Sequence, residues 1–402
     1  MDVVFYGGSL NYDQGSGNYQ ELKKITKWDG RQYTLVSRYA LRYSMLETAR
    51  KMGLWKIADA DKLQLAGDAN KKVIQPSTEV LLTGEILDYP EFDLFGYLVT
   101  STTPQNFKIA PVKISHAISM TPFNYDALFN ANLGLANRMR KVYGEMKPNP
   151  FTAEEHETFY QYTVVIDVDN IGEVEVYLTK NKEITLKDDK DKWKIDSVKK
   201  DSEKIKIFLR KGKNTKPIEQ KDINIDGELL DLKDAYVIKY LLQDPKKIEE
   251  RIKELVKIIL NLKRSIKGRD EDLSPKLLVV GIYKDHPYKT YKDKIFLKDE
   301  YSEENYDEIE EKEDNGKKIV KVRHIVSKSK KPVFEVVGDK FEQELTEISE
   351  NKVVKFILEL FKNNNEKASQ NINEEDNKIC KAKVFYDPSI KVEVKELDRK
   401  IK

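Results

Sequence analysis

The alternation of apolar and polar positions divides the chain into elements. Residues 3–7 (VVFYG) form an apolar run read as a short buried strand that ends at Gly7 and Gly8. Residues 9–18 (SLNYDQGSGN) are too polar and too rich in glycine for regular structure and read as a loop. Beyond the Asp29-Gly30 turn, residues 31–54 carry helical spacing. Leu35, Tyr39, Tyr43 and Leu46 form one stripe, while Arg31, Arg38 and Arg42 share another face. Residues 56–90 are weakly patterned, as in an irregular insertion; 92–100 read as a strand and 127–143 as a helix. Residues 159–168 (FYQYTVVIDV) read as a strand, ended by Asp169, Asn170 and Gly172. Residues 180–228 are charged and mostly in short strands, an excursion rather than core. A long basic helix over 246–267 precedes a buried strand at 276–283 (KLLVVGIY). Residues 300–330 and 363–378 are dense in charge, and loops or partial disorder are expected there.

Without the excursions the order is strand, helix, strand, strand, helix, strand, which is that of the ferredoxin-like or RRM fold. The expected class is therefore α+β. Residues 1–300 would form an RRM-like palm with finger and thumb segments inserted at roughly 50–155 and 180–228. Residues 301–402 would form a charged, partly flexible carboxy-terminal extension, whose return to the palm is left open. The RRM stacking signature, a basic residue and glycines around aromatics, is absent from residues 159–168, so ordinary sheet-face stacking on bases is not expected.

Composition narrows the function classes. With 402 residues the chain exceeds one ordinary core, and 35% charged against 39% hydrophobic residues suits a soluble protein with extensive solvated segments. No run approaches the ~18 uninterrupted apolar residues of a membrane span, since even residues 353–361 are broken by Lys355 and Glu359. No secretory leader is visible, so a cytoplasmic location is expected and a membrane partner is not. Cys380 alone allows neither an intramolecular disulfide nor a multi-cysteine zinc site. The net charge of +2 conceals a basic middle: residues 1–170 carry −2, 171–300 carry +6 and 301–402 carry −2. Much of that excess lies in 246–269, where nine basic residues face Glu249, Glu250 and Glu254. Lysine outnumbers arginine 59 to 12, so arginine clusters are informative, a guanidinium being able to hold phosphate bidentately and stack on bases.

Catalytic motifs fail on inspection. Gly7-Gly8-Ser9-Leu10-Asn11 departs from a nucleophile elbow at Asn11, and Gly15 and Gly17 lack the third glycine of a dinucleotide loop. His116, His156, His286 and His324 have no zinc-ligand spacing. Asp13 is a candidate metal or acid-base carboxylate, although a lone loop Asp is more commonly a turn former. A binding constellation remains. Asn11, Tyr12, Gly15, Gly17 and Asn18 offer amides, backbone donors and glycines that permit close approach of a phosphate. Ser37, Arg38 and Arg42 follow, and Arg138, Arg140, Arg264, Lys267 and Arg269 supply further cations. Tyr12, Tyr19 and Tyr39 are candidate base-stacking rings, with core packing the preferred reading for Tyr39 and Tyr43.

In this order the motifs resemble the DevR family, the repeating backbone subunit of the type I-B CRISPR surveillance complex, Cascade. The resemblance rests on Ser9-Leu10-Asn11-Tyr12 with Gly15-Ser16-Gly17-Asn18, and on Ser37-Arg38-Tyr39-Ala40-Leu41-Arg42-Tyr43. Further matches are Asp93-Leu94-Phe95-Gly96-Tyr97-Leu98, Ala110-Pro111-Val112, Ser115-His116-Ala117, Asn149-Pro150-Phe151, Phe159-Tyr160-Gln161-Tyr162, Asp167, and residues 258–268 with Leu273-Ser274-Pro275. They span roughly two thirds of the chain, and the carboxy-terminal third matches poorly. The resemblance implies a non-catalytic protein without cofactor or metal that polymerises with copies of itself as a helical filament on the guide RNA (crRNA) in antiviral defence. Each copy would grip the sugar-phosphate backbone, and a thumb would interrupt the pairing of guide with target DNA at intervals. Residues 180–228 and 300–330 both qualify as that thumb. Implied partners are the large subunit, the handle-binding subunit and the guide-processing endoribonuclease. The alternative is a metal-dependent RNase that cuts target RNA through Asp13, as the related type III backbone subunits do. A regulatory role finds no helix-turn-helix or basic-zipper pattern.

Overall fold

The structure, a computed structural model, describes residues 1–67, 72–187, 189, 191–201, 204–221, 223–283, 290–314, 317–338, 341, 345–359, 361 and 380–396. The main elements up to the middle of the chain are β1 (Asp2–Gly8), β2 (Lys24–Thr26), β3 (Gln32–Val36), α1 (Arg38–Met52), α2 (Pro90–Phe95), β4 (Ala117–Ser119), β5 (Ala127–Ala131), α3 (Leu133–Tyr143), β6 (Pro150–Glu154) and β7 (Glu157–Ile166). Then come β8 (Glu173–Thr179), β9 (Glu183–Thr185), β10 (Lys192–Asp201), β11 (Lys204–Lys211), β12 (Asn214–Glu219), β13 (Ile225–Asp231), β14 (Ala235–Leu242), α4 (Pro245–Leu260), β15 (Lys263–Ile266) and β16 (Arg269–Asp272). The remainder are β17 (Leu277–Tyr283), β18 (Ile295–Asp314), β19 (Lys317–Gly338), α5 (Glu350–Ile357), β20 (Cys380–Tyr386) and β21 (Lys391–Glu396). The architecture is α+β, with many strands and few helices. Among the described residues no helix is long and apolar enough to cross a membrane.

Contacts divide the chain into two compact units. The first takes Met1–Leu41, Ser115–Thr163 and Lys263–Lys402, and the second takes Arg42–Ile114 and Val164–Leu262. These bounds differ from insertions at 50–155 and 180–228.

In the first unit the sheet runs β20, β17, β1, β7, β4, β3, β2. β1 pairs antiparallel with β7 from Asp2↔Thr163 to Gly8↔Glu157, and with β17 from Asp2↔Val279 to Val4↔Leu277. Its unbroken apolar run fits that central place, because Val3, Val4 and Phe5 are all fully buried. Asp2 is buried too, and its carboxylate accepts from Thr163 Oγ1 at 2.5 Å and from Tyr291 N at 2.8 Å. β20 pairs with β17 along seven residues, so a strand from the carboxy-terminal hundred residues sits in this sheet. The core beside it gathers Val4, Leu277, Val279, Phe334, Val336 and Val384.

The second unit contains the sheet β8-β14-β13 and the sheet β9-β10-β11-β12. Val176, Leu178, Ile195, Ile205, Ile207, Leu209, Ile238 and Tyr240 are all fully buried in its core. Residues 180–228 are thus core-forming rather than an excursion. Lysine alternates with isoleucine in β11 (KIKIFLRK), so the charge sits on one face and the apolar side chains on the other.

Other elements also depart from the expected ones. The helix anticipated over 31–54 starts only at Arg38, because Gln32–Val36 pairs as a strand with β2 and β4. Residues 92–100 are not one strand: Pro90 opens α2, and Gly96 at φ 71° closes it. Residues 127–143 divide into β5 and α3 at Asn132, whose side chain caps the helix by accepting from Leu135 N. The basic helix ends at Leu260, and residues 263–272 return as a hairpin. Residues 300–330 lie mostly in the paired strands β18 and β19 rather than in loops. The expectation for 363–378 lies outside the described residues.

Candidate nucleic-acid interface

The loop after β1 is fixed at its first residue. Ser9 sits at φ 51°, a left-handed conformation that residues other than glycine rarely adopt, and it is buried. Ser9 N donates to His156 O at 3.0 Å, His156 N donates to Ser9 Oγ at 3.0 Å, and Ser9 Oγ donates to the Glu155 carboxylate. Next, Asn11 Oδ1 accepts from Ser37 N at 2.9 Å, Asn11 O accepts from Lys23 N at 2.8 Å, and Asp13 N donates to Glu21 O at 2.8 Å. The glycines differ. A Cβ on Gly15 would lie 2.1 Å from the Tyr19 carbonyl oxygen, so the space expected to admit a phosphate is filled by the chain's own backbone. Gly17, at φ 57°, has nothing within 4 Å of the corresponding point. Asn18 is exposed, and its carbonyl accepts from Thr152 N at 2.9 Å.

Cations from the β15–β16 hairpin gather on this loop. Lys267 at φ 47° and Gly268 at φ 78° form a two-residue turn with both residues left-handed, the geometry that matches strand twist. Arg264 Nε donates to Leu10 O at 2.7 Å, and its NH1 lies 3.4 Å from Ala40 O. Lys267 Nζ sits 3.4 Å from the centroid of the Tyr12 ring and donates to the Gln20 side chain. Burial holds the pKa of Lys267 below the ordinary lysine value, with Arg269 lowering it further and Glu155 opposing. Arg269 donates to Gly8 O and Ser9 O at 3.4 Å, and lies 3.8 Å from Glu155 and 3.7 Å from Glu271.

Ser37 caps α1 by accepting from Ala40 N at 3.2 Å. Arg38 follows with its guanidinium 5.0 Å from the Tyr39 ring centroid and donates to the Tyr39 hydroxyl at 3.0 Å. That hydrogen bond, with the guanidinium charge, lowers the pKa of Tyr39. Tyr39 and Tyr43 are 67% and 61% exposed, which overturns their reading as core residues. The three arginines do not share one face either. Arg31 pairs with Asp29 at 3.0 Å, and Arg42 is half-buried in the second unit, 5.0 Å from the Phe95 ring centroid. Burial lowers the pKa of Arg42, with Glu91 opposing. Arg138 and Arg140 lie exposed on α3, where Arg140 donates to Met146 O and Asn137 Oδ1, each at 3.0 Å.

Asp13 accepts from Gln14 N at 2.9 Å and lies 3.6 Å from Lys23, as a turn former would. Among the described residues no three His, Cys, Asp or Glu side chains are grouped as a metal site requires. Sequence reasoning missed the carboxylates that organise the loop. Glu154 is buried and accepts from Leu22 N at 2.8 Å, Tyr19 OH at 3.1 Å and Lys24 Nζ at 2.7 Å. His156 is in the sequence one of four histidines without zinc-ligand spacing. Its Nδ1 pairs with Thr34 Oγ1 at 2.7 Å and its Nε2 with Thr121 Oγ1 at 3.3 Å, and burial lowers its pKa. The only sequence signal for these residues was the polar run Glu154-Glu155-His156 between two strands.

Comparison with known proteins places the chain. A curated relative, the CRISPR-associated protein Cas7/Cst2/DevR of Myxococcus xanthus (strain DK1622), is 25% identical over 170 residues, which cover 37% of this chain and 50% of the relative. The chain thus spans about half the length of the curated relative it matches. Among solved structures, a chain titled CRISPR RNA-guided surveillance complex aligns at 11% identity and a TM-score of 0.32, covering 72% of this chain and 71% of that one. Another, from a pre-nicking surveillance complex, aligns at 11% identity and a TM-score of 0.31, covering 72% and 79%. These scores are too low to carry an argument. The family model described as CRISPR-associated negative auto-regulator DevR/Csa2 matches residues 1–306, more than half of the 402 residues, and the chain belongs to that family.

Proposed function

We propose that the protein is a non-catalytic backbone subunit of a type I-B CRISPR surveillance complex that binds crRNA and polymerises along it, presenting the guide to target DNA. The other Cascade subunits would be its further partners. Family membership supports the assignment to a CRISPR system. The antiparallel order β17-β1-β7-β4 supports an RRM-like palm, because numbering these strands along the chain gives the order 4-1-3-2 of that fold.

The observation that carries the RNA grip is the exposed Arg38–Tyr39 pair at the start of α1, tied to the glycine loop through the Asn11–Ser37 hydrogen bond. A cation and a ring presented without base-reading groups suit a guide whose sequence varies. Gly17 and Asn18 extend this surface on the open side of the loop. Arg264, Lys267 and Arg269 act partly as struts that hold the loop, and Arg42 is not part of the grip.

The test is to purify the protein from its host, sequence the RNA that accompanies it, and measure binding of unrelated guides. Short RNAs with a common repeat-derived handle are expected. Arg38→Ala should weaken all guides alike and make the salt dependence shallower by about 0.7, one single-strand phosphate contact. Unchanged affinity and slope for every guide would overturn the assignment of Arg38.

A further inference from the structure

The start of α1 is held by side chains from three separate segments. Asn11 Oδ1 accepts from Ser37 N at 2.9 Å, Ser37 Oγ accepts from Ala40 N at 3.2 Å, and His116 Nδ1 accepts from Arg38 N at 3.0 Å. The N–H groups of a first helical turn have no partner within the helix, so each such bond fixes how the chain enters it. His116 reaches Arg38 because β4 pairs with β3 at Ala117↔Val36, which lays the residue before β4 alongside the residues that follow β3. Its neighbour Ser115 is anchored on β7, where Ser115 N donates to Thr163 O at 3.0 Å and Ser115 Oγ accepts from Thr163 N at 2.9 Å. Of the three capping side chains, only His116 changes charge near neutral pH.

The bond from Arg38 N requires one protonation state of that ring. A backbone N–H can only donate, so Nδ1 carries a lone pair and the neutral ring keeps its proton on Nε2. Burial holds the pKa of His116 below the ordinary histidine value, and the charges of Arg38, from α1, and Lys292, from the segment before β18, lower it further. Among the described residues those two cations are the charged groups that bear on the ring; β3 and β7 meet this corner with Val36 and Thr163, which do not titrate. Protonation at Nδ1 would set one N–H against another and place a positive charge at the positive end of the helix, both unfavourable. The turn that would loosen is the one that carries the exposed Arg38–Tyr39 pair.

We propose that His116 is a positioning residue that holds Arg38 in place only while its ring is neutral, so that acidification releases the start of α1 and weakens the grip on RNA. His116 acts through the backbone of Arg38 and needs no contact with the RNA. The inference rests on the reading of Arg38 as part of the guide grip and adds a pH switch to it.

The test follows the full chain from pH 8 to pH 5 at constant salt, with a 30-nucleotide single-stranded RNA of random sequence as probe. In the free protein labelled with 15N-arginine, the Arg38 amide, one of twelve such signals, should shift with a midpoint below about 6.5. Over the same range RNA affinity should fall about fivefold, the worth of one ordinary hydrogen bond. Simple charge attraction predicts the reverse, since a protein that gains positive charge binds a polyanion more tightly. Affinity that rises on acidification would therefore overturn the proposal and assign His116 to direct contact with phosphate. His116→Asn, whose amide oxygen can stand where Nδ1 stands but does not titrate, should flatten both profiles. His116→Phe offers no acceptor and should also be flat, but bind about fivefold more weakly than His116→Asn. Equal affinity of the two variants, or a pH profile in either as steep as the parent's, overturns the proposal. The grip and the switch fail differently. If Arg38→Ala leaves RNA binding intact, the grip falls and the switch with it; if Arg38→Ala weakens binding but the Arg38 amide of the parent does not titrate, only the switch falls.

Discussion

Ser9 shows how single residues shape the candidate interface. Its left-handed backbone is tolerated because three hydrogen bonds join it to Glu155 and His156, 146 and 147 positions away. Ser9→Ala keeps the unfavourable φ but leaves the part-buried His156 N–H without its acceptor, so a loss of about 1 kcal/mol is expected. Ser9→Gly loses the same hydroxyl but relieves the backbone, and should be less destabilising in urea unfolding; an equal loss would place the cost in the hydroxyl alone. In the sequence Ser9 stood out only as a failed nucleophile, since nothing nearby announces partners so distant. His156 gives a second residue-scale prediction. Burial lowers its pKa in the fold below the ordinary histidine value of about 6.5, so the unfolded chain binds its proton first as pH falls. Its contribution is whole above pH 6.5 and is lost as pH drops through the lower folded value. Replacing His156 with Gln should remove that part of the pH slope of stability, and an unaltered slope would assign it to other groups.

At the scale of elements, the β15–β16 hairpin was hidden inside a basic stretch read as helix. Its residues, Lys-Arg-Ser-Ile-Lys-Gly-Arg-Asp, contain no Asn-Gly or Asp-Gly signal, and only Lys267 and Gly268 occupy the two left-handed positions of the turn. Central strands were easier to read, because β1 and β17 are unbroken apolar runs. β11 was legible as a strand but not as core, since every second residue from Lys204 to Phe208 is only half-buried while Ile205, Ile207 and Leu209 are fully buried. The hairpin also carries a prediction. Gly268→Val places a β-branched residue at φ 78° and should cost about 1–2 kcal/mol locally. Because Arg264, Lys267 and Arg269 all reach the loop from this hairpin, RNA binding should fall although no charge is removed. Binding equal to the parent would show that the loop holds its shape without those struts.

At the scale of the whole chain, each compact unit is assembled from segments that long stretches of the other unit interrupt, which no local pattern can reveal. In the second unit Asp93 illustrates what closes such an arrangement. Its carboxylate, on α2, accepts from Gly172 N at 3.0 and 3.1 Å and pairs with Lys108 and with Arg251 of α4. Asp93 is fully buried and Arg251 almost so, which makes Arg251 a structural residue rather than one of the outward cations. Breaking a buried network by removing one partner leaves uncompensated charge, and Asp93→Asn should cost about 3–5 kcal/mol at pH 7. The sign of its pH dependence follows from Lys108. Burial already lowers the Lys108 pKa, with Asp93 as the largest opposing influence, so the variant should lower it further. A lysine whose folded pKa lies below the unfolded value penalises the fold where it is charged in both states, and that penalty fades as pH rises from the folded value toward the unfolded one. Part of the stability lost in Asp93→Asn should therefore return on raising the pH toward 10, while the Arg251 share persists because a guanidinium stays charged. Urea unfolding of parent and variant at pH 7 and near pH 10 measures both quantities. A deficit that is constant or grows with pH would mean that Asp93 acts through Arg251 and the Gly172 amide alone.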